Sequence, residues 1–386
     1  MPEGLPLAGL RVLDLTRHLP GPYATLLLSD LGAQVDKLEE PAGDPTRTFP
    51  GGAELGASYF AGLNRGKRSL VLNLKAHGAP AALLRLCGYY DVVVEGFRPG
   101  VLERLGVGHV RLREAHPRLV VCALSGFGQT GPDCQRAGHD LGYQARAGVV
   151  GYGGGSGPAG PPGGQVADVG GALFAVVGIL AALAGREKTG EGRLVDVALA
   201  DAATAFLHLH LAAHLAGGLA LRPGQDALNG GLPCYRLYQT QDGRQLAVAA
   251  LEPRFFAALC ERLGRPELVA PAYAGGEEAQ GVHRALEALF ASAPLSTWEA
   301  HLAGLDACVE AVRTPEEVSS DAQFQARGLF ARGPRGEGWL ATPLRFGPLP
   351  QRPAPALGAH SREVLAEAGF SAEEMDALGI GQPPDG

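Results

Sequence analysis

Short β-branched runs alternate with helix-patterned stretches through residues 10–124, and that alternation limits the architectures open to the chain. LRVLDL at 10–15 reads as a buried strand, and 20–31 has helical spacing with Gly32 as its stop signal. Residues 34–39 form the next strand, and 69–74, 91–95 and 118–124 supply three more. Strands separated by helical stretches predict βαβ units, and hence an α/β domain with a parallel sheet.

Beyond this region, GYGGGSGPAGPPGG at 151–164 is too rich in Gly and Pro to hold a helix or strand. An apolar helix at 170–183, a strand at 194–199 and a helical stretch at 202–220 follow. The turn-rich segment 222–231 marks a change of character. After it come strands at 235–239 and 246–250 around Asp242 and Gly243, then helices at 254–263 and 282–291. A Pro-rich tail at 340–357 leads to a last helix at 361–368. The expected division is a large domain at 1–222, a small domain at 223–320, and a segment at 321–386 that returns to the large domain.

The chain carries 33 Lys and Arg against 40 Asp and Glu, a net charge of -7, so the footprint of a general nucleic-acid binder is absent. Any anionic ligand must be met by a local basic cluster. With 46% hydrophobic and 19% charged residues the composition is that of a folded protein. The uncharged stretches 169–185 and 202–221 read as buried helices, the first interrupted by Gly and the second carrying His208, His210 and His214. Six scattered cysteines without a CxxC pair, and no leader pattern at Met1, fit a reduced cytoplasmic protein.

Several signatures fail. Gly66–Lys67 has Ala61 where a phosphate-binding loop needs glycine, and no GxSxG or HExxH occurs. The GxGxxG at Gly155, Gly157 and Gly160 neither follows a strand nor opens a helix. The three histidines have no Cys, Asp or Glu at ligand spacing, so no metal site is expected.

Basic residues do cluster in the first half: Lys37, then Arg65, Lys67 and Arg68, then Arg98. They fall at strand ends and entry loops, where open α/β sheets bind ligands, and suit a phosphate-rich molecule; solvated surface charge is the competing reading. For acid–base work two segments stand out. His139 and Asp140 follow the strand ending near 124, and Asp168 stands directly before Gly170 and Gly171 at the start of an apolar helix. There a carboxylate is either an N-cap or a group placed beside N–H donors able to hold an oxyanion. Glu252, before Pro253, is a third carboxylate at a helix start.

PLAGLRVLDLTRHLPGPYATLLLSDLGAQVDKLEEPAGDP at 6–45 resembles the opening of the family III CoA-transferases (the CaiB/BaiF group), which also contains α-methylacyl-CoA racemases. LNRGKRSLVLNLK at 63–75, VEGFRPGVLERLG at 94–106, SGFGQTGP at 125–132 and GREKTGEGRLVDVALAD at 185–201 extend the likeness along essentially the whole chain. GHDLGY at 138–143, VADVGG at 166–171, the 230–256 stretch and LDACV at 305–309 resemble the racemase form. Gly142 replaces the asparagine common there, and Lys37 stands where an arginine is frequent.

The resemblance implies a large domain with a Rossmann-like parallel sheet, a smaller α+β domain and an interlocked homodimer. It implies that His139 and Asp168 are two catalytic bases, with Glu252 supporting His139 and Asp140 in the same set. Lys37 and Arg98, with Arg65, Lys67 and Arg68, would then contact the adenosine and phosphates of CoA. The activity implied is racemisation of 2-methyl-branched acyl-CoA thioesters with no added cofactor, CoA being part of the substrate; transfer of CoA between acids, with Asp168 as nucleophile, is the alternative. No nucleic-acid or membrane partner is expected.

Overall fold

The computed structural model describes residues 4–49, 52–153, 160–274, 276–349 and 351–380. It divides into two units. One comprises Met1–Ala147, Gly163–Phe206 and Gln323–Gly386; the other comprises Gly148–Pro162 and Leu207–Ala322. The boundary therefore falls at 206/207, where the sequence placed it at 222/223, and part of the Gly- and Pro-rich loop joins the second unit.

The first unit is built on six parallel strands: β1 (Arg11–Leu15), β2 (Gln34–Glu39), β3 (Arg68–Val71), β4 (Val92–Glu95), β5 (Val120–Ser125) and β6 (Leu194–Ala198). Their order in the sheet is β3-β2-β1-β4-β5-β6, every neighbouring pair being parallel. Strand order therefore reverses between β1 and β4, the place where doubly wound sheets open a crevice at their carboxyl ends. The central strands β1, β4 and β5 are buried almost throughout, as strands covered on both faces must be.

Helix α1 (Pro20–Asp30) starts with proline in its first turn and stops at Gly32, whose φ of +106° is left-handed. A Cβ there would stand 2.6 Å from that of Leu5, so the stop needs glycine for space as well as conformation. Helix α2 (Ala53–Asn64) follows, then the short α3 (Asp140–Arg146) and the long α4 (Val166–Thr189). By length and composition α4 could cross a membrane. In the fold it packs on α1, β5 and β6 and buries Ala172, Ala175, Val176 and Ile179.

The expected helix at 202–220 is two helices, Leu199–Ala205 and His208–Gly217. The break leaves Phe206 beside α4, where its ring occupies the space a Cβ on Gly170 would need, 2.5 Å away. The chain end packs into the same unit: Val364 and Leu365 join a core with Leu13, Leu70, Leu86, Val93 and Val121. His360 N–H donates to Ser69 O, and Val71 N–H donates to Ser361 Oγ.

The second unit carries an antiparallel sheet of β7 (Tyr235–Gln239), β8 (Gln245–Ala249) and β9 (Val309–Ala311), with β8 central. Its core is Tyr238, Phe256, Leu286, Phe290 and Trp298. His210 and Asp226 both bond Tyr152 Oη, at 3.0 and 2.7 Å, and His214 Nδ1 contacts Leu219 O. Gly155 and Gly157 of the GxGxxG pattern lie outside the described residues.

Candidate active site

A cavity of about 330 Å3 opens in the first unit where the carboxyl ends of β1, β4 and β5 converge. Its wall takes Thr16, Arg17 and His18 from the turn after β1, Phe97 and Arg98 from the turn after β4, Ser125 from the end of β5 and Gly126 just past it. His139 and Asp168 complete it. A second cavity of about 250 Å3, lined by Lys37, Asp44, Leu72, Lys75 and Leu105, shares Thr16, Arg17 and Phe97 with the first. The shared residues make these two halves of one groove, one end polar with the acid–base pair and the other with an apolar floor.

His139 is the residue before the first turn of α3 and is exposed. Asp168 is the third residue of α4, inside its first turn and three residues past the cap position at Gln165, so of the two alternatives the N-cap does not apply. Asp140 does the capping. Its Oδ1 accepts the N–H groups of Ala167 at 2.9 Å and Asp168 at 3.2 Å, and its Oδ2 accepts from Gln144 Nε2 at 2.5 Å. The Ala167 and Asp168 N–H groups, at the helix start expected to receive an oxyanion, are thus occupied, which corrects that expectation, and Asp140 is tied directly to the Asp168 backbone.

Burial, and after it the charge of Asp140, pushes the Asp168 carboxyl up to about 7. A carboxyl poised there exchanges protons readily at neutral pH. Tyr143 braces the wall: its Oη donates to Gly138 O at 2.7 Å, and its ring stands edge-on to Phe127. Gly126 and Gly138 must be glycine against it, since a Cβ on either would lie 2.5 Å from a Tyr143 atom.

The basic cluster divides. Arg65 is buried and paired with Asp30 through two hydrogen bonds of 2.5 and 2.7 Å. Lys67 is fully buried, its Nζ within 2.8–3.1 Å of Thr25 Oγ1, Pro22 O, Asn64 Oδ1 and Asp14 Oδ2. Arg68 holds Asp36 in two bonds and reaches Glu363 and Glu367 in the returning chain. Each of the three is buried against a carboxylate, Asp30, Asp14 and Asp36 in turn, which corrects their assignment to a phosphate ligand.

Lys37 is also buried, on Thr16 O and Asp44 Oδ2, although it lies at the wall of the second cavity. Arg98 alone of the five is exposed on the cavity without an ion-pair partner among the described residues. Arg17 and Lys75, which the sequence reading passed over, are exposed on the groove in the same way. The strand order is what would have found Arg17, two residues past the end of β1 at the reversal point.

Asp14, Lys37 and Asp44 hold the Thr16–His18 turn in place. Thr16 N–H and Oγ1 donate to Asp14 Oδ1, Lys37 Nζ donates to Thr16 O, and His18 N–H reaches Asp44 Oδ1 at 3.4 Å. His18 adopts φ +66°, a left-handed conformation uncommon for a side chain-bearing residue. Its ring lies edge-on to His139, centroids 6.2 Å apart, and burial lowers its pKa. Glu252 lies in the second unit, exposed at the start of the helix Pro253–Arg262.

The sequence profile of CoA-transferase family III matches residues 7–361. The chain belongs to this family. It is 36% identical to the human (Homo sapiens) alpha-methylacyl-CoA racemase over 96% of both chains. It is also 36% identical to the acetyl-CoA:oxalate CoA-transferase of Acetobacter aceti, over 86% of this chain and 88% of that one. The crystal structure of a CAIB/BAIF family protein from Brucella suis superposes with a TM-score of 0.82 at 31% identity, covering 95% of this chain and 100% of that one. A racemase and a CoA-transferase are therefore both relatives of this sequence at the same percentage identity.

Proposed function

We propose that the protein racemises or epimerises 2-methyl-branched acyl-CoA thioesters by two-base proton transfer. The observation that carries this reading is the Asp168 carboxyl, held near 7 in the same cavity as His139. Inverting a carbon next to a thioester needs one group to take the α-proton from one face and another to return a proton to the opposite face. An imidazole and a carboxyl in one cavity suit these roles, each worth roughly 10² to 10⁴ in rate.

Loss of the α-proton leaves an enolate whose charge rests on the thioester oxygen. With the Ala167 and Asp168 N–H groups taken by Asp140, the start of α3 beside His139 is the positive dipole end at hand for that charge. CoA is part of the substrate, so the scheme calls for no further cofactor. Arg17, Arg98 and Lys75 are the proposed phosphate contacts, and the apolar end of the groove suits an adenine ring. The reading includes a homodimer, in which exposed Leu173, Phe174 and Val177 on α4 would be covered.

CoA transfer is the second reading, favoured by the 36% identity to the oxalate enzyme. Asp168 would attack the thioester carbonyl, expelling CoA thiolate and forming a mixed anhydride, which the thiolate would open to an aspartyl thioester and a free acid. This route asks nothing of His139, whereas proton transfer uses both groups of the cavity. Incubating the protein with a single-enantiomer 2-methylacyl-CoA in D₂O separates the two. Deuterium uptake with loss of optical purity is expected; no exchange, with acyl transfer only on adding a free acid, would overturn the racemase reading.

A further inference from the structure

We propose that Gln144 is a positioning residue of the acid–base machinery, fixing the Asp140 carboxylate between α3 and α4 with its negative charge turned on Asp168. The inference rests on the reading of Asp168 as a proton-transfer group. Gln144 is fully buried one helical turn after Asp140, so its side chain lies over the same face of α3. Its Nε2 donates to Asp140 Oδ2 at 2.5 Å and to Gly164 O at 3.2 Å. Both of these partners are acceptors, which fixes the amide's orientation. The opposite atom, Oε1, is then buried without a hydrogen-bond partner among the described residues.

An orphaned buried acceptor is a cost that an apolar side chain of similar size would avoid. Packing alone therefore does not account for glutamine here, whereas the needs of Asp140 do. A cation in its place would neutralise the carboxylate, and an apolar residue would leave Oδ2 bare and favour its protonation. A neutral donor satisfies Oδ2 without compensating the charge of the carboxylate. The charge then acts on Asp168 across the bond from Asp168 N–H to Asp140 Oδ1. The groups facing this pair are Tyr143 on α3, whose pKa burial and after it Asp168 raise, and Arg17, His18, Arg98, Arg136 and His139 on the wall of the same cavity.

The test is the titration of the Asp168 side chain, followed by carbon NMR in the whole unligated protein, together with the pH profile of α-proton exchange. In Gln144→Met the Asp140 carboxylate loses its donor and takes up a proton more easily, so Asp168 ionises at lower pH. We expect its midpoint to fall by about one pH unit and the exchange profile to move with it. Asp140→Asn keeps an oxygen for the two N–H groups while removing the charge, and should shift the midpoint in the same direction. A midpoint unmoved in folded Gln144→Met overturns the proposal. If that variant does not fold, Gln144→Asn, whose shorter amide cannot reach Oδ2, gives the same reading. Lowered melting with an unmoved midpoint would mark a purely structural residue. The NMR titration is independent of turnover: a wild type that exchanges no α-proton sinks the racemase reading alone.

Discussion

Replacing Lys67 by Met separates the buried ion-pair network from ligand binding. The ammonium lies within hydrogen-bonding distance of four oxygen atoms, one of them on Asp14, and none of the group is exposed. Burial works against the ionised Asp14 carboxyl, but Lys37, Lys67 and the Thr16 and Thr25 hydroxyls outweigh it and hold the pKa well below the usual range. Taking one partner from a buried pair costs about 3–5 kcal/mol. Asp14 keeps Lys37 and both hydroxyls, which places the loss near 3 kcal/mol. At roughly 2–4 °C per kcal/mol for a unit of this size, the melting temperature should fall by roughly 6–12 °C. Calorimetry at pH 7 measures the loss, and titration with CoA well below the melting point should find unchanged affinity. Unchanged melting with CoA affinity lost would refute the argument, because Lys67 would then be a ligand contact.

Arg98→Ala should do the reverse, weakening CoA binding roughly 10- to 150-fold, the equivalent of about 1.5–3 kcal/mol for charge-assisted bonds, with no change in melting; calorimetric titration checks it. Asp14, Glu39 and Asp44 all have pKa values lowered in the fold. Their stabilisation is therefore present above about pH 4, the unfolded value, and is lost as pH falls through the folded values; a urea midpoint that stays flat from pH 7 to 3 would contradict this. Gly126→Ala would press a methyl against Tyr143 Oη at 2.5 Å, costing about 1–3 kcal/mol and lowering turnover by displacing the wall beside His139, as melting and exchange rates would record.

The parallel sheet was readable because each strand is a short apolar run closed by a helix-patterned stretch, and β1, β2 and β4 lie within a residue of their expected limits. The candidate acid–base pair was readable for a different reason: His139 and Asp168 sit in recognisable local motifs, and both line the first cavity. The basic cluster misled because lysine and arginine in sequence carry no sign of burial. Arg65, Lys67 and Arg68 each find a carboxylate far along the chain, Asp30, Asp14 and Asp36, and such pairing emerges only when β1, β2 and β3 come together. The choice between cap and free carboxyl at Asp168 was not readable for a similar reason, since the capping carboxylate comes from Asp140 on another helix.

Single-turnover exchange in D₂O by His139→Ala and Asp168→Ala, each offered both enantiomers of a 2-methylacyl-CoA, tests the central claim most directly. With bases on opposite faces, each variant should lose inversion, while deuterium still enters one enantiomer with its configuration retained, and the favoured enantiomer should differ between the two. Inversion surviving in His139→Ala, or acyl transfer to a free acid undiminished in that variant, would contradict the two-base account.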